Sequence, residues 1–197
     1  MKIGIEINGV LRDTIGKFKT TYEKFLIDNN LENSESENPF DYKITEPIDS
    51  LDLTNHFSFQ SKEEFFSFLY EEFPMEIFGH SPSTELSSFN DLNDLYVNLR
   101  DKVDFIIISD EISKSKPATL FFLSKFGCLI EKIFFYNDVT KNKLLDELDL
   151  IVTSNPDIII NYKDKVIKYD TSYNNKLNSE VSITKLKELE SIITKKL

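Results

Sequence analysis

The sequence predicts an α/β fold with a mostly parallel sheet that helices cover on both faces. Two observations lead to this expectation: short apolar runs typical of strands alternate with helical patterns along the chain, and glycine, proline or serine marks many of the boundaries. Polar, proline-containing sequence interrupts the alternation after the first helix and predicts an inserted segment. The 197 residues, 40% of them hydrophobic, are enough for one domain with a small insert.

The chain begins with a predicted strand at residues 2–8, where isoleucine alternates with other residues before Gly9. A helix is predicted over residues 12–29, because Phe18, Tyr22 and Leu26 recur at helical spacing. From residue 31 to about residue 59 no clear period remains. This part is expected to be an irregular insert.

The second half of the insert predicts a helix with a dense set of aromatic residues. Ser61 and Glu64 have the spacing of a capping box, in which a serine hydroxyl and a glutamate satisfy each other's free backbone donors. The aromatic residues are interpreted as a compact core of the insert, and any left exposed would form a docking surface. They are Phe57, Phe59, Phe65, Phe66, Phe68, Phe73 and Phe78.

The remaining chain continues the alternation. Strands are predicted at residues 103–109, 132–136 and 149–154, with an edge strand at 165–170. Helices are predicted at residues 91–100, 115–127, 141–148, from Pro156 onwards, and at 182–197.

Composition excludes several classes of function. A formal charge of -11 argues against sequence-independent binding to nucleic acid, which relies on clustered Lys and Arg. The single cysteine, Cys128, cannot form an internal disulfide and favours a reducing compartment. No leader sequence is expected, and no apolar run approaches the length of about 20 residues that spans a membrane. A cytoplasmic protein is expected, in the host cytoplasm or a virion if a phage encodes it.

Residues 6–14, Glu-Ile-Asn-Gly-Val-Leu-Arg-Asp-Thr, carry a motif of interest at the end of the first strand. They resemble the first motif of the haloacid dehalogenase (HAD) superfamily, Asp-x-Asp-Gly-(Thr/Val)-Leu-x-Asp-Thr, with Glu6 and Asn8 in place of its two aspartates. Ser109 follows a predicted strand at the place of the family's phosphate-binding Ser or Thr. The resemblance implies that Ser109 and Gly9 contribute to substrate binding.

Residues 149–158 resemble the fourth motif of the 5'(3')-deoxyribonucleotidase branch of that superfamily. Thr153 and Ser154 stand where this branch has acidic residues, and Asn155 replaces an arginine. The resemblance implies a Rossmann-like HAD fold with a core of residues 1–30 and 86–197. Residues 31–85 would then be a small, mainly helical cap insertion.

The resemblance also implies a phosphotransfer mechanism that these substitutions weaken. In the family the first aspartate attacks phosphorus, the second handles the proton, and acidic side chains hold Mg²⁺. Glu6 moves the attacking oxygen, and a misplacement on the order of 1 Å can cost about 100-fold in rate. Asn8 cannot cycle a proton, a contribution of typically about 10² to 10⁴-fold. With Thr153 and Ser154 uncharged, Glu6 alone remains for the metal, and Mg²⁺ is expected to bind weakly or not at all.

The third-motif lysine has two alternative assignments. Spacing to the fourth motif gives Lys143, whereas by local sequence Val139 occupies the place and Lys141 lies nearby. Asp13 is interpreted as a residue that stabilises the first turn of the helix rather than a chemical group.

Two functions follow as hypotheses. The first is a catalytically degenerate HAD-like protein with a binding or structural role, in a phage or other assembly, with a protein partner or a second copy of itself. The alternative is a Mg²⁺-dependent phosphatase acting on deoxynucleoside or ribonucleoside monophosphates, with Glu6 as nucleophile or base. Asp110, Asp138 or Asp157 would then replace the lost metal ligand. Whether a nucleotide or phosphate group still occupies the cleft is a question that the sequence leaves open.

Overall fold

The computed structural model describes residues 1–29 and 41–197. In this part of the chain six strands form one all-parallel sheet with the order β3-β2-β1-β4-β5-β6. The strands are β1 (Lys2–Glu6), β2 (Asp104–Ser109), β3 (Ile133–Phe135), β4 (Leu150–Thr153), β5 (Val166–Tyr169) and β6 (Ser182–Ile183). The α-helices are α1 (Thr14–Asp28), α2 (Lys62–Ser67), α3 (Ser88–Leu99), α4 (Ser115–Lys125), α5 (Lys141–Asp146), α6 (Pro156–Asn161) and α7 (Leu189–Thr194). The predicted fold class is confirmed.

Both faces of the sheet are buried. Along β2, Phe105 and Ile107 pack into one hydrophobic core, while Ile106 and Ile108 pack into another on the opposite face. Helices α3, α4 and α7 contribute to the first core, and α5 and α6 to the second. A strand covered on both sides needs apolar residues at every position, which explains the near-continuous apolar runs of the sequence.

The region between β1 and β2 is a helical insertion with an aromatic core of its own. Helix α2 continues into π-helical turns at Phe68–Glu72 and Met75–Gly79. The ring centroid of Phe18, on α1, lies 4.7 Å from that of Phe57 and 5.5 Å from that of Phe68. The interpretation as a compact core is confirmed for six of the seven aromatic residues, whereas Phe66 is 49% exposed. Helix α1 also packs into this core, so the core domain and the insertion share it. Residues 30–40 lie outside the described residues, and the predicted domain boundary at residue 30 stays a prediction.

The predictions for the C-terminal part were wrong in one respect. Residues 182–197 were expected to form one helix, but Ser182 and Ile183 form β6, which pairs with β5 and replaces it as the edge strand. Ile183 is buried in the first core, as is Leu186 three residues later. That spacing fits a helix as well as a short strand followed by a turn, so periodicity could not distinguish them.

The capping box is half correct. The Ser61 hydroxyl accepts a hydrogen bond from the backbone N–H of Glu64 at 3.1 Å and begins α2 as expected. The Glu64 carboxylate reaches one residue further back, to the N–H of Gln60, and also accepts from the Tyr42 hydroxyl at 2.9 Å.

Within residues 1–29 and 41–197 no helix is both long and apolar enough to cross a membrane.

Candidate active-site cavity

A cavity of about 250 Å³ lies between the carboxyl ends of β1, β2 and β4 and the helical insertion. We call it the strand-end cavity. Strand order reverses around β1, and such points in open α/β sheets are where ligands bind. Its polar lining is Glu6, Asn8, Gly9, Thr14, Asp110, Glu111, Ser154, Asn155 and Tyr173, and its apolar and aromatic lining is Ile15, Phe18, Leu51, Leu53, Phe65, Phe66, Leu69, Tyr70 and Phe78.

Glu6, at the end of β1, is buried, and both of its carboxylate oxygens accept hydrogen bonds. The Tyr136 hydroxyl donates to Oε1 at 3.0 Å, and the Thr153 hydroxyl donates to Oε2. Burial raises the pKa of Glu6 to about 7, and the charge of Asp110 acts in the same direction. The hydroxyl groups of Thr153 and Tyr136 and the charge of Lys141 lower this pKa, but they offset only part of the increase caused by burial and Asp110. Glu6 is therefore partly protonated at neutral pH.

The raised pKa of Glu6 predicts a pH dependence of stability. Because the folded state holds this proton more tightly than the unfolded state, the contribution of Glu6 is complete below about pH 4.5 and is lost as the pH rises through about 7. In Glu6→Gln, which cannot ionise, we expect the free energy of unfolding to fall less between pH 5 and pH 8 than in the parent. Urea denaturation of both proteins at the two pH values measures this. Parallel pH profiles would contradict it.

Asn8 is held by three side chains. Its Oδ1 accepts from Arg12 Nη2 and from the Thr14 hydroxyl, each at 2.6 Å, and its Nδ2 donates to Asp110 Oδ1 at 2.9 Å. The amide is thus fixed with its carbonyl towards Arg12 and its amino group towards a carboxylate. An amide in this position hydrogen-bonds to both neighbours, but unlike a carboxyl group it cannot accept and release a proton during a reaction.

Thr153, at the end of β4, and the following Ser154 hold the surrounding loop together. Besides its bond to Glu6, the Thr153 hydroxyl accepts from the N–H of Asn155 at 2.9 Å. The Ser154 hydroxyl donates to the backbone carbonyl of Asn8 at 3.0 Å and accepts from the Tyr173 hydroxyl at 2.8 Å. Both carboxylate oxygens of Glu6 and the backbone carbonyl of Asn8 therefore already accept from hydroxyl groups.

These residues do not fit Mg²⁺. The ion demands near-octahedral oxygen ligands, usually with one or two carboxylates. The carboxylate of Glu6 and the carbonyl of Asn8 are engaged by hydroxyl donors instead. Across the two described stretches of the chain, no group of three or more His, Cys, Asp or Glu side chains is arranged to hold a metal.

Of the residues predicted to bind a substrate or a metal, some line the strand-end cavity and others do not. Ser109 ends β2 as predicted, but its side chain is fully buried and is not part of the cavity lining. Among the acids proposed as replacement ligands, Asp110 lines the cavity, whereas Asp138 and Asp157 do not. Asp13 accepts from the N–H of Gly16 at 3.0 Å and caps α1, which confirms its interpretation.

The alternatives for the third-motif lysine differ in their placement. Lys143 is exposed on α5, and Val139 is 88% exposed. Lys141, at the start of α5, is close enough to Glu6 to lower its pKa. This effect on Glu6 favours Lys141 over Lys143 as the lysine of this site, although Lys141 does not line the cavity and its role stays a prediction.

A buried ion pair behind the cavity was missed by the sequence analysis. Arg12 is fully buried and pairs through Nη2 with Oε1 of Glu111. Its Nη1 donates to the carbonyl of Phe78 at 2.9 Å and to the Thr119 hydroxyl at 2.6 Å. The guanidinium also lies over the rings of Phe78 and Phe122, 5.0 and 5.2 Å from their centroids. The only signals in the sequence were a charged residue inside the first motif and a glutamate just after a buried strand.

Comparison with solved structures agrees with this fold. The chain is similar to the crystal structure of a haloacid dehalogenase-like hydrolase from Burkholderia xenovorans, with a TM-score of 0.59 over 98% of this chain and 96% of that one. The sequence identity is 10%, so the likeness concerns the fold. No protein-family model matches the sequence, and no curated protein matches it significantly. The protein therefore has a HAD-like α/β fold with a helical insertion between β1 and β2.

Proposed function

We propose that this protein is a catalytically degenerate member of the 5'(3')-deoxyribonucleotidase-like branch that acts by binding rather than by hydrolysis. The observation that supports this most is the hydroxyl network on Glu6: Tyr136 and Thr153 donate to its two oxygens. A nucleophilic carboxylate needs a free, ionised oxygen aimed at phosphorus, whereas this carboxyl is buried and partly protonated at neutral pH.

The rest of the cavity supports the same proposal. Asn8 cannot serve as a general acid or base, and the donor set does not fit Mg²⁺. None of the lining residues that the structure describes is Lys, Arg or His, so positive charge to stabilise a phosphoryl group is missing from the lining. A binding role in a phage or other assembly, with a protein partner or a second copy, completes the proposal. Phe66, 49% exposed on the insertion, offers apolar surface for such a contact.

The alternative, a Mg²⁺-dependent phosphatase, is favoured by Asp110. This carboxylate lines the cavity and raises the pKa of Glu6, so the two acids lie close together. Ion binding between them would require the hydroxyl groups on Glu6 to turn away.

Phosphate release distinguishes the two functions. The parent and Glu6→Ala are incubated with Mg²⁺ and a panel of deoxynucleoside and ribonucleoside monophosphates, with circular dichroism to show that both are folded. We expect both proteins to release phosphate at the same background rate. Release by the parent that disappears in Glu6→Ala would overturn the proposal and establish the phosphatase.

A further inference from the structure

We propose that the strand-end cavity binds a small arylalkylamine, with its ammonium group at Asp110 and Glu111 and its ring against the aromatic side chains of the insertion. This inference rests on the proposed function, because a ligand that is bound without turnover needs the cavity but not the phosphatase chemistry.

The charge of the cavity favours a cation. Its lining includes the carboxyl groups of Asp110 and Glu111, the partly protonated carboxyl of Glu6 and, among the described residues, no basic side chain. Arg12 neutralises Glu111 but is not itself part of the lining. Burial raises the pKa of Tyr70, and the charges of Asp110 and Glu111 add to this effect, so both carboxyl groups lie near this residue of the insertion. A nucleoside monophosphate would enter this field with the wrong sign of charge.

Glu111 provides a second, independent indication. It is 1% exposed and lines the cavity, and its Oε1 accepts from Arg12. Its Oε2 is buried and accepts no well-aligned hydrogen bond among residues 1–29 and 41–197, and the nearby Thr119 hydroxyl lowers the pKa of this carboxyl. A buried carboxylate oxygen without a donor is unfavourable. An ammonium group in the cavity would supply that donor, together with an opposite charge for Asp110.

The wall opposite the carboxyl groups determines which part of a ligand can follow the ammonium group. It consists largely of rings and aliphatic side chains from α1 and the insertion, including Phe65, Phe66, Tyr70 and Phe78. Aromatic faces attract both apolar rings and cations. The volume of about 250 Å³ is slightly below the range of about 300 to 1,000 Å³ typical of ligand pockets. One ring with a short aminoalkyl chain, as in 2-phenylethylamine, has the required combination of size, charge and apolar surface.

Titration calorimetry at pH 7 with three probes of similar shape tests the proposal. These are 2-phenylethylamine, which is a cation, 2-phenylethanol, which is neutral, and 3-phenylpropionate, which is an anion. We expect the amine to bind at least about tenfold more tightly than the alcohol and the anion not to bind. Asp110→Asn keeps an oxygen that can accept from Asn8, and it should weaken the amine about tenfold while leaving the alcohol unchanged. Asp94→Asn, on the exposed side of α3, is the matched control and should change neither.

Each other outcome overturns the inference. Amine and alcohol affinities that are equal on the unmodified protein would show that charge plays no part, and this comparison does not depend on any variant. An amine affinity unaffected by Asp110→Asn would place the ammonium elsewhere. Deoxythymidine monophosphate serves as a further probe, and tight binding of it without amine binding would make the cavity a nucleotide site. A silent phosphatase assay combined with no amine binding rejects this inference alone, whereas phosphate release dependent on Glu6 rejects the proposed function.

Discussion

Glu111→Leu is expected to lower the free energy of unfolding by about 3 to 5 kcal/mol, because it leaves the Arg12 guanidinium charged and without its anion in the interior. Both side chains are at most 1% exposed. Arg12 cannot move to water to compensate, since its other donors are held by the carbonyl of Phe78 and the hydroxyl of Thr119. Chemical denaturation of the parent and the variant measures the difference.

A matched surface pair provides the control for this prediction. Lys132 and Asp104 are 2.7 Å apart, but their side chains are 57% and 41% exposed. Asp104→Asn should therefore cost only about 0 to 1 kcal/mol. If Glu111→Leu costs as little as Asp104→Asn, the buried pair does not stabilise the fold. In the double variant Arg12→Met/Glu111→Leu, part of the loss should be recovered, because no unpaired charge remains.

The Arg12–Glu111 pair also explains how the segments that form the candidate site are held in fixed positions relative to one another. Arg12 belongs to the loop after β1, Glu111 to the loop after β2, Phe78 to the insertion and Thr119 to α4. One buried side chain thus links four segments, and Asn8 is a further ligand of the same guanidinium. Loss of the pair is expected to disturb the strand-end cavity as well as global stability.

The sequence predicts which residues meet at this edge of the sheet but not how they bond. Glu6, Ser109 and Thr153 were each placed at a strand end, and the parallel sheet brings those ends together. Their partners are remote in sequence: the Tyr136 hydroxyl reaches Glu6 from 130 residues away, and Glu111 lies 99 residues from Arg12. Hydrophobic periodicity describes one element at a time and contains no information about such pairs.

Short elements are the second limit of prediction from the sequence. The strands from β1 to β5 were found because each is an apolar run with clear boundaries. β6 has two residues, Ser182 and Ile183, and its hydrogen bonds with β5 define it rather than any pattern of its own. The choice between Lys141 and Lys143 could not be made from the sequence either. It depends on which lysine of the short helix α5 lies near Glu6, and only Lys141 affects the pKa of Glu6.

Gly9→Ala is expected to lower the free energy of unfolding by about 2 to 5 kcal/mol. Two effects add. Gly9 has a φ of +74°, and a side chain in the left-handed region costs about 1 to 2 kcal/mol. An added Cβ would also lie 2.0 Å from the Tyr173 hydroxyl oxygen and 2.3 Å from the Ser154 hydroxyl oxygen, and overpacking of this kind typically costs about 1 to 3 kcal/mol. Thermal and urea denaturation would record the loss.

Gly127 separates the two effects, because it shares the backbone conformation of Gly9 without its neighbours. Its φ is +65°, and apart from its two chain neighbours none of the described residues has an atom within 4 Å of a Cβ placed there. Gly127→Ala should therefore cost only the conformational part, about 1 to 2 kcal/mol. Equal losses at the two glycines would show that the contacts of Gly9 with Tyr173 and Ser154 add nothing. Tyr173→Phe introduced into Gly9→Ala removes the nearest atom and should recover part of the difference, whereas the side chain of Ser154 would still crowd the new methyl group.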